Sequence, residues 1–164
     1  MQLQDFFDYK NQLMKDILTN EEIVRLINPD IDFEDSKDLA YTQVFPYEYI
    51  PETVQNGSTY ICFDVDVSSV SNDTYLIAYF YIWVFCHQSR LRLPEGGVRY
   101  DKLCSKICEA INGSRVYGLG RLKLYSAKHF SPMTDYQGKL MTFQMTEFNT
   151  PSDSKHPVPM NRKG

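Results

Sequence analysis

The chain has 164 residues, of which 43% are hydrophobic and 23% charged, a size suited to one domain whose core needs neither metals nor disulfides. Its net charge of −4 argues against a general nucleic-acid binder, which needs a cationic face to neutralise phosphates. The opening Met1-Gln2-Leu3-Gln4-Asp5 is no basic-then-apolar leader, and the longest apolar run, residues 75–86, is too short to span a bilayer. The expected setting is therefore the cytosol, where the four cysteines stay reduced. The 12 Tyr and 10 Phe crowd strand-like segments, and tyrosine suits surfaces that are partly dry and partly wet, subunit interfaces included.

Phe6, Phe7, Tyr9, Leu13, Met14, Ile17 and Leu18, with Asp8, Lys10, Asn11 and Lys15 in the gaps, predict an amphipathic N-terminal helix. Thr19-Asn20-Glu21-Glu22 has the form of a capping box, with Thr19 and Glu22 satisfying free N–H groups. It opens a second short helix carrying Ile23, Leu26 and Ile27, which Asn28-Pro29 stops. Residues 30–38 read as an acidic connector. Residues 41–49, with Tyr47 and Tyr49, are strand-like but broken by Pro46, which predicts an edge strand or an extended arm. Asn56-Gly57 marks a turn.

Two strong strands follow. In residues 59–67, Ile61, Phe63, Val65 and Val67 alternate with Tyr60, Cys62, Asp64 and Asp66. Residues 68–73 form a polar turn. Residues 74–87 are apolar on both faces: Leu76, Ala78, Phe80, Ile82 and Val84 on one, Tyr75, Ile77, Tyr79, Tyr81, Trp83 and Phe85 on the other. Such a strand lies in the middle of a sheet, or has one face covered by another subunit. A chain with so few helices leaves the aromatic face awaiting a partner.

Pro94-Glu95-Gly96-Gly97 predicts a flexible tip. Tyr100, Leu103, Cys104, Ile107, Cys108 and Ile111 then fall on one helical stripe, which Asn112-Gly113 ends. Residues 121–125 and 139–148 alternate as two further strands, with Ser131-Pro132 and Gln137-Gly138 marking a long loop between them. From residue 150 onward, three prolines and no apolar periodicity describe an extended tail. The expected fold is α+β: a mostly antiparallel sheet of four to five strands packed with an N-terminal helix pair and one central amphipathic helix. Residues 1–149 form the domain and 150–164 the tail.

No constellation carries catalysis, a cofactor or a metal in this pattern. Cys104 and Cys108, with His87 as a conceivable third ligand, sit on a buried stripe where cysteine packs well, and zinc wants tighter pairs from turns. Asp64 and Asp66 share a strand face and are the best candidates for magnesium chemistry; a strand showing one polar face to water has the same pattern. The order of elements also resembles the PD-(D/E)xK nuclease core. Yet Asp30, Asp35 and Lys37 lie in a connector, and no predicted strand carries the acid-x-lysine pair. His87, His129 and His156 are scattered. Tyr117-Gly118-Leu119-Gly120 precedes a strand and lacks the ending of a phosphate loop. Arg115, Arg121, Lys123 and Lys128 read as a solvated basic face that an acidic neighbouring subunit would fit.

The stretch Ile107-Cys108-Glu109-Ala110-Ile111-Asn112-Gly113, then Gly118-Leu119-Gly120-Arg121-Leu122-Lys123-Leu124 and the closing strand at residues 140–149, resembles in layout the tail terminator and head–tail joining (neck) proteins of tailed bacteriophages. That resemblance implies a structural virion protein assembled in the host cytoplasm. It implies a homo-oligomeric ring, expected to be a hexamer, that caps the tail tube and meets the tail tube protein and a neck or connector protein. It brings no catalytic residue, cofactor, membrane contact or specific nucleic-acid binding. The candidate interface is then Tyr75, Tyr79, Tyr81, Trp83 and Phe85, with Tyr47 and Tyr49 on the arm and Arg121 and Lys123 in the basic cluster. The alternatives are a small magnesium-dependent nuclease using Asp64 and Asp66, and a monomeric module that binds a host protein through the aromatic face.

Overall fold

A computed structural model describes residues 3–51, 57–70 and 74–149. Helix α1 (Leu3–Leu18) buries Leu13 and Ile17, one turn apart on one face, while Phe7 points to solvent. Helix α2 (Glu21–Ile27) starts one residue later than the capping box would place it. Its N-cap is Asn20, whose side chain accepts from the Ile23 amide at 3.2 Å. The Thr19 hydroxyl instead donates to the Lys15 carbonyl at 2.7 Å and closes α1. Two adjacent residues thus end one helix and begin the next. The acidic connector is not extended: it winds into a 3-10 helix, Phe33–Leu39, that buries Leu39.

The Pro-interrupted segment contributes the shortest strand, β1 (Val44–Phe45), parallel to β2 and on the sheet margin, as Pro46 requires. Strands β2 (Thr59–Val70) and β3 (Tyr75–His87) pair antiparallel. The turn expected at 68–73 is shorter at its start, because β2 runs to Val70 across an irregularity after Val67. Residues 71–73 lie outside the described residues, as do Asn56 of the expected Asn56-Gly57 turn and the tail from residue 150.

Leu93 and Gly97 exchange a turn hydrogen bond (Leu93 N to Gly97 O, 3.1 Å), so the expected flexible tip is a closed turn leading into α3 (Arg99–Ile111). Strand β4 (Leu119–Phe130) and strand β5 (Tyr136–Phe148) are both longer than the sequence suggests. The loop between them is only residues 131–135, and Gln137 and Gly138 belong to β5. Gly138 is there because the backbones come close: a Cβ would lie 2.6 Å from Phe85 Cα. It signals tight strand pairing, not a turn.

The sheet order is β1-β2-β3-β5-β4, mostly antiparallel, with β3 in the centre. All three α-helices lie on one face. They enclose Ile61, Phe63, Leu76, Phe80, Ile82, Met141 and Phe143 in the main core. Tyr117, fully buried, donates its hydroxyl to Asp16 of α1 at 2.5 Å and ties the start of β4 to the helical layer. Among the described residues no helix is long and apolar enough to cross a membrane.

Candidate functional site

The face of the sheet opposite the helices is divided in two. At the end where β2 begins and β3 finishes, a second aromatic cluster closes over it: Phe45, Cys62, Phe85 and Tyr136 are buried, with Tyr49, Tyr60, Trp83 and Phe130 packed around them. Tyr49 stacks on Phe45 at 4.0 Å and 14°. The arm after β1 therefore folds back over its own sheet. Phe85, expected at an interface, is 1% exposed, stacked on Tyr60 and met edge-on by Tyr136; it is part of the chain's own core.

Burial governs the chemistry of this cluster. Desolvation pushes the Tyr136 hydroxyl up to about 12 and the Cys62 thiol up to about 12, since the charged form of each loses hydration. The Cys62 thiol donates to the Tyr49 carbonyl at 3.7 Å. Neither group is a nucleophile at neutral pH.

Beyond the cluster nothing among the described residues covers the face. Tyr79, Tyr81 and Trp83 run along β3 as a row of rings, with centroids 6.4 Å and 6.0 Å apart. Period-two alternation puts them there, on the side away from Phe80 and Ile82. Each is half-buried by its neighbours in the sheet rather than by another layer. Across from them, β5 presents Gln144, Thr142 and Leu140, and β2 presents Asp66, Asp64 and Cys62. Tyr125 of β4 meets Tyr79 edge-on at 5.7 Å and is 66% exposed. Alternation along residues 121–125 sets it on the side of Arg121 and Lys123, although it is not among the expected interface residues.

The surface is also divided by charge. Asp66 and Asp64 lie on the β2 side; Lys123 and Lys128 lie opposite Gln144 and Leu140 on the β4 side, and Arg121 and Lys123 line one hollow with Gln144. Asp64 is ion-paired with Lys10 of α1, which also donates to the Pro46 carbonyl at 3.0 Å. Tyr75 sits at the far end of β3, stacked on Phe148 at 5.6 Å, and Tyr47 is an exposed ring beside Phe45. The structure thus gathers Tyr79, Tyr81 and Trp83 with Arg121 and Lys123. It sets Tyr79 and Tyr81 apart from Tyr47, Tyr49 and Phe85, with Trp83 at the junction, packed against the cluster.

The candidates for catalysis and metal binding do not converge. Among the described residues no three His, Cys, Asp or Glu side chains are placed to hold a metal ion. Cys104 is buried and Cys108 half-buried on α3. The His87 ring caps the short 3-10 helix that follows β3, accepting from the Ser89 amide at 3.2 Å. Asp35 and Lys37 lie on the 3-10 helix and Asp30 just before it, not on paired strands.

The model of the YomW family matches residues 20–145. The chain belongs to the YomW family. The matched span opens at the N-cap of α2 and closes in β5, so the uncovered aromatic row and both of its charged flanks lie inside what defines the family. The YomW name points to a phage-associated gene product. No curated protein matches the chain.

Proposed function

We propose that this YomW-family chain is a non-enzymatic structural virion protein, a tail terminator-like adaptor that assembles into a ring through the uncovered face of its sheet. The observation that carries the reading is the row Tyr79, Tyr81 and Trp83, left without a covering layer among the described residues on the face opposite the helices. Tyrosine and tryptophan in a row suit a surface that becomes dry on assembly while its polar tips keep hydrogen bonds.

The occupant is a second copy of the chain. The acidic margin on β2 and the basic margin on β4 are complementary, so a neighbour shifted across the sheet sets Lys123 and Lys128 against Asp66. A contact between two different patches is heterologous, and heterologous contacts that close make rings. On the β4 side the strand edge is less available than the face. Residues 112–114 occupy the outer edge of β4, with Gly113 N donating to Leu122 O at 2.7 Å and Leu122 N to Ser114 O at 2.8 Å. The Asn112 side chain also accepts from the Leu124 amide at 2.9 Å.

In this reading the ring, a hexamer, caps the tail tube and presents its outer surface to the tail tube protein and a neck protein. Its place is the virion. The nuclease alternative loses ground because the Asp64 carboxylate is committed to Lys10 and no third ligand joins Asp66 among the described residues.

Light scattering across a wide concentration range tests the proposal. A closed hexamer that dissociates in Tyr81→Asp carries it. A stable dimer keeps the face and removes the ring, while a strict monomer that captures one host protein at one-to-one stoichiometry replaces self-assembly with a binding module.

A further inference from the structure

A second site lies away from the aromatic face, at the end of the sheet where β2 starts. The C-terminus of α2, the first residues of β2 and the segment before α3 enclose a polar cavity of about 60 Å³, lined by Asn28, Gln43, Thr59, Arg90 and Arg99 among others. By the same measure one water needs roughly 10–15 Å³, so the space fits one phosphate or carboxylate group.

Arg99 makes this cavity unusual. It is only 8% exposed, and a buried charge is normally paired. Its Nε donates to the Arg90 carbonyl at 2.7 Å and its Nη1 to the Leu26 carbonyl at 2.9 Å. None of the ion pairs among the described residues includes it. Glu95 feels its charge but is held by Lys102 at 2.6 Å. Arg99 is also the first residue of α3, where the helix dipole disfavours a cation. A guanidinium has five N–H groups, and the carbonyls account for two.

The second guanidinium on the wall, Arg90, uses its Nε on the Gly57 carbonyl at 3.2 Å and has no ion pair among the described residues either. Part of the neutral wall bonds within itself: Asn28 Nδ2 donates to Gln43 Oε1 at 3.3 Å, and Gln43 Nε2 to the Thr59 carbonyl at 3.0 Å. The charged donors on the wall belong to the two arginines.

We infer that the Arg90–Arg99 cavity binds a single oxyanion group, which supplies the counter-charge that no described residue gives Arg99. Arginine forks match oxyanion geometry, and such charge-assisted bonds are the strong ones. The site is independent of assembly through the aromatic face and needs no second copy.

Calorimetric titration of the full chain with inorganic phosphate, and separately with acetate, at constant ionic strength tests it. Saturable one-to-one binding is expected, with Arg90→Gln weakening it by at least about tenfold, the loss of one charge-assisted bond. Arg90 is exposed, so the variant should keep the wild-type circular dichroism spectrum. Binding of phosphate alone makes the ligand a tetrahedral oxyanion; equal binding of acetate makes it a carboxylate, as a protein side chain would offer. No saturable heat with either ion, or binding that Arg90→Gln leaves unchanged, overturns the site. Arg99 would then be no more than a bracket that closes the end of α2 over solvent.

Discussion

The two faces of β3 are one residue apart in sequence and differ in nearly everything else. Ala78, Phe80, Ile82 and Val84 point into the helical layer and are wholly buried. Tyr79, Tyr81 and Trp83 point the other way: among the described residues the two tyrosines meet sheet neighbours, and Trp83 packs against the margin of the aromatic cluster. The residue types follow the difference. Where the strand is dry on completion of the fold it uses side chains with no polar atom; where it stays half wet it uses rings with a hydroxyl or an indole N–H. A strand that is apolar on both sides need not be buried on both sides by its own chain.

The largest test of that contrast removes a ring from each face. Phe80→Ala should cost about 3–5 kcal/mol in urea unfolding, through lost burial and the cavity left among Tyr9, Tyr117 and Ile82. Tyr81→Ala should cost the monomer about 1 kcal/mol or less, because its ring gives up little dry contact. If both variants lose the same stability at concentrations where the chain is monomeric, the face called uncovered is in fact part of the core.

Next in size is Gly138→Ala, which probes the end of the same face that the aromatic cluster closes. A methyl there meets the backbone of Val84 and Phe85, so β3 and β5 must part and Phe85 must shift. Overpacking of this kind costs about 1–3 kcal/mol. Hydrogen exchange should show the loss first at Phe85 and Gln137, with Leu76 and Glu147 at the far end protected as before.

Much of this was legible in the sequence, and the failures have physical causes. The α+β class, the central strand and the stripe of α3 follow from periodicity alone, because each element buries one face. The capping box was misread by one residue because Thr19 and Asn20 are both competent caps; only the path of the chain decides that Thr19 turns back to Lys15. Gln137-Gly138 reads as part of a loop because a glycine demanded by close backbone approach has the same letters as one demanded by a bend. For the site, alternation placed Tyr79, Tyr81 and Trp83 on one face correctly. It could not tell that the arm carrying Phe45 and Tyr49 would fold over Phe85, nor that Arg99 would be buried with no ion pair among the described residues. Those are contacts between segments distant in sequence.

A further effect should appear in alkali and touch both faces. Burial holds the thiols of Cys62 and Cys104 at about 12 and that of Cys86 at about 11, against an ordinary value of 9.0. Above pH 9 the unfolded chain therefore releases protons that the folded chain retains. Stability is full below pH 9 and falls as pH rises toward 11–12. Tyr9 and Tyr117 are shifted upward as well, by burial and by the carboxylates of Glu147 and Asp16, and add to the fall above pH 10. Unfolding midpoints measured from pH 8 to 11 should drop, and Cys62→Ala and Cys104→Ala should each flatten the slope.

The smallest effect on the folded chain should come from its charges, and it is the most specific to assembly. Lys123 is exposed on β4 and makes no ion pair among the described residues, so Lys123→Glu should change monomer stability by less than about 0.5 kcal/mol. If a neighbour sets its acidic β2 margin against this basic β4 margin, the same change places like charges together and weakens association, most at low salt. Asp66→Lys should weaken it for the same reason. The double variant restores opposite charges across the contact and should recover the oligomer seen by light scattering. Recovery requires that the two margins meet in different copies, because within one chain β3 and β5 separate β2 from β4. Two single variants that assemble normally would leave the aromatic row without its electrostatic guide and remove the reason for a head-to-tail contact.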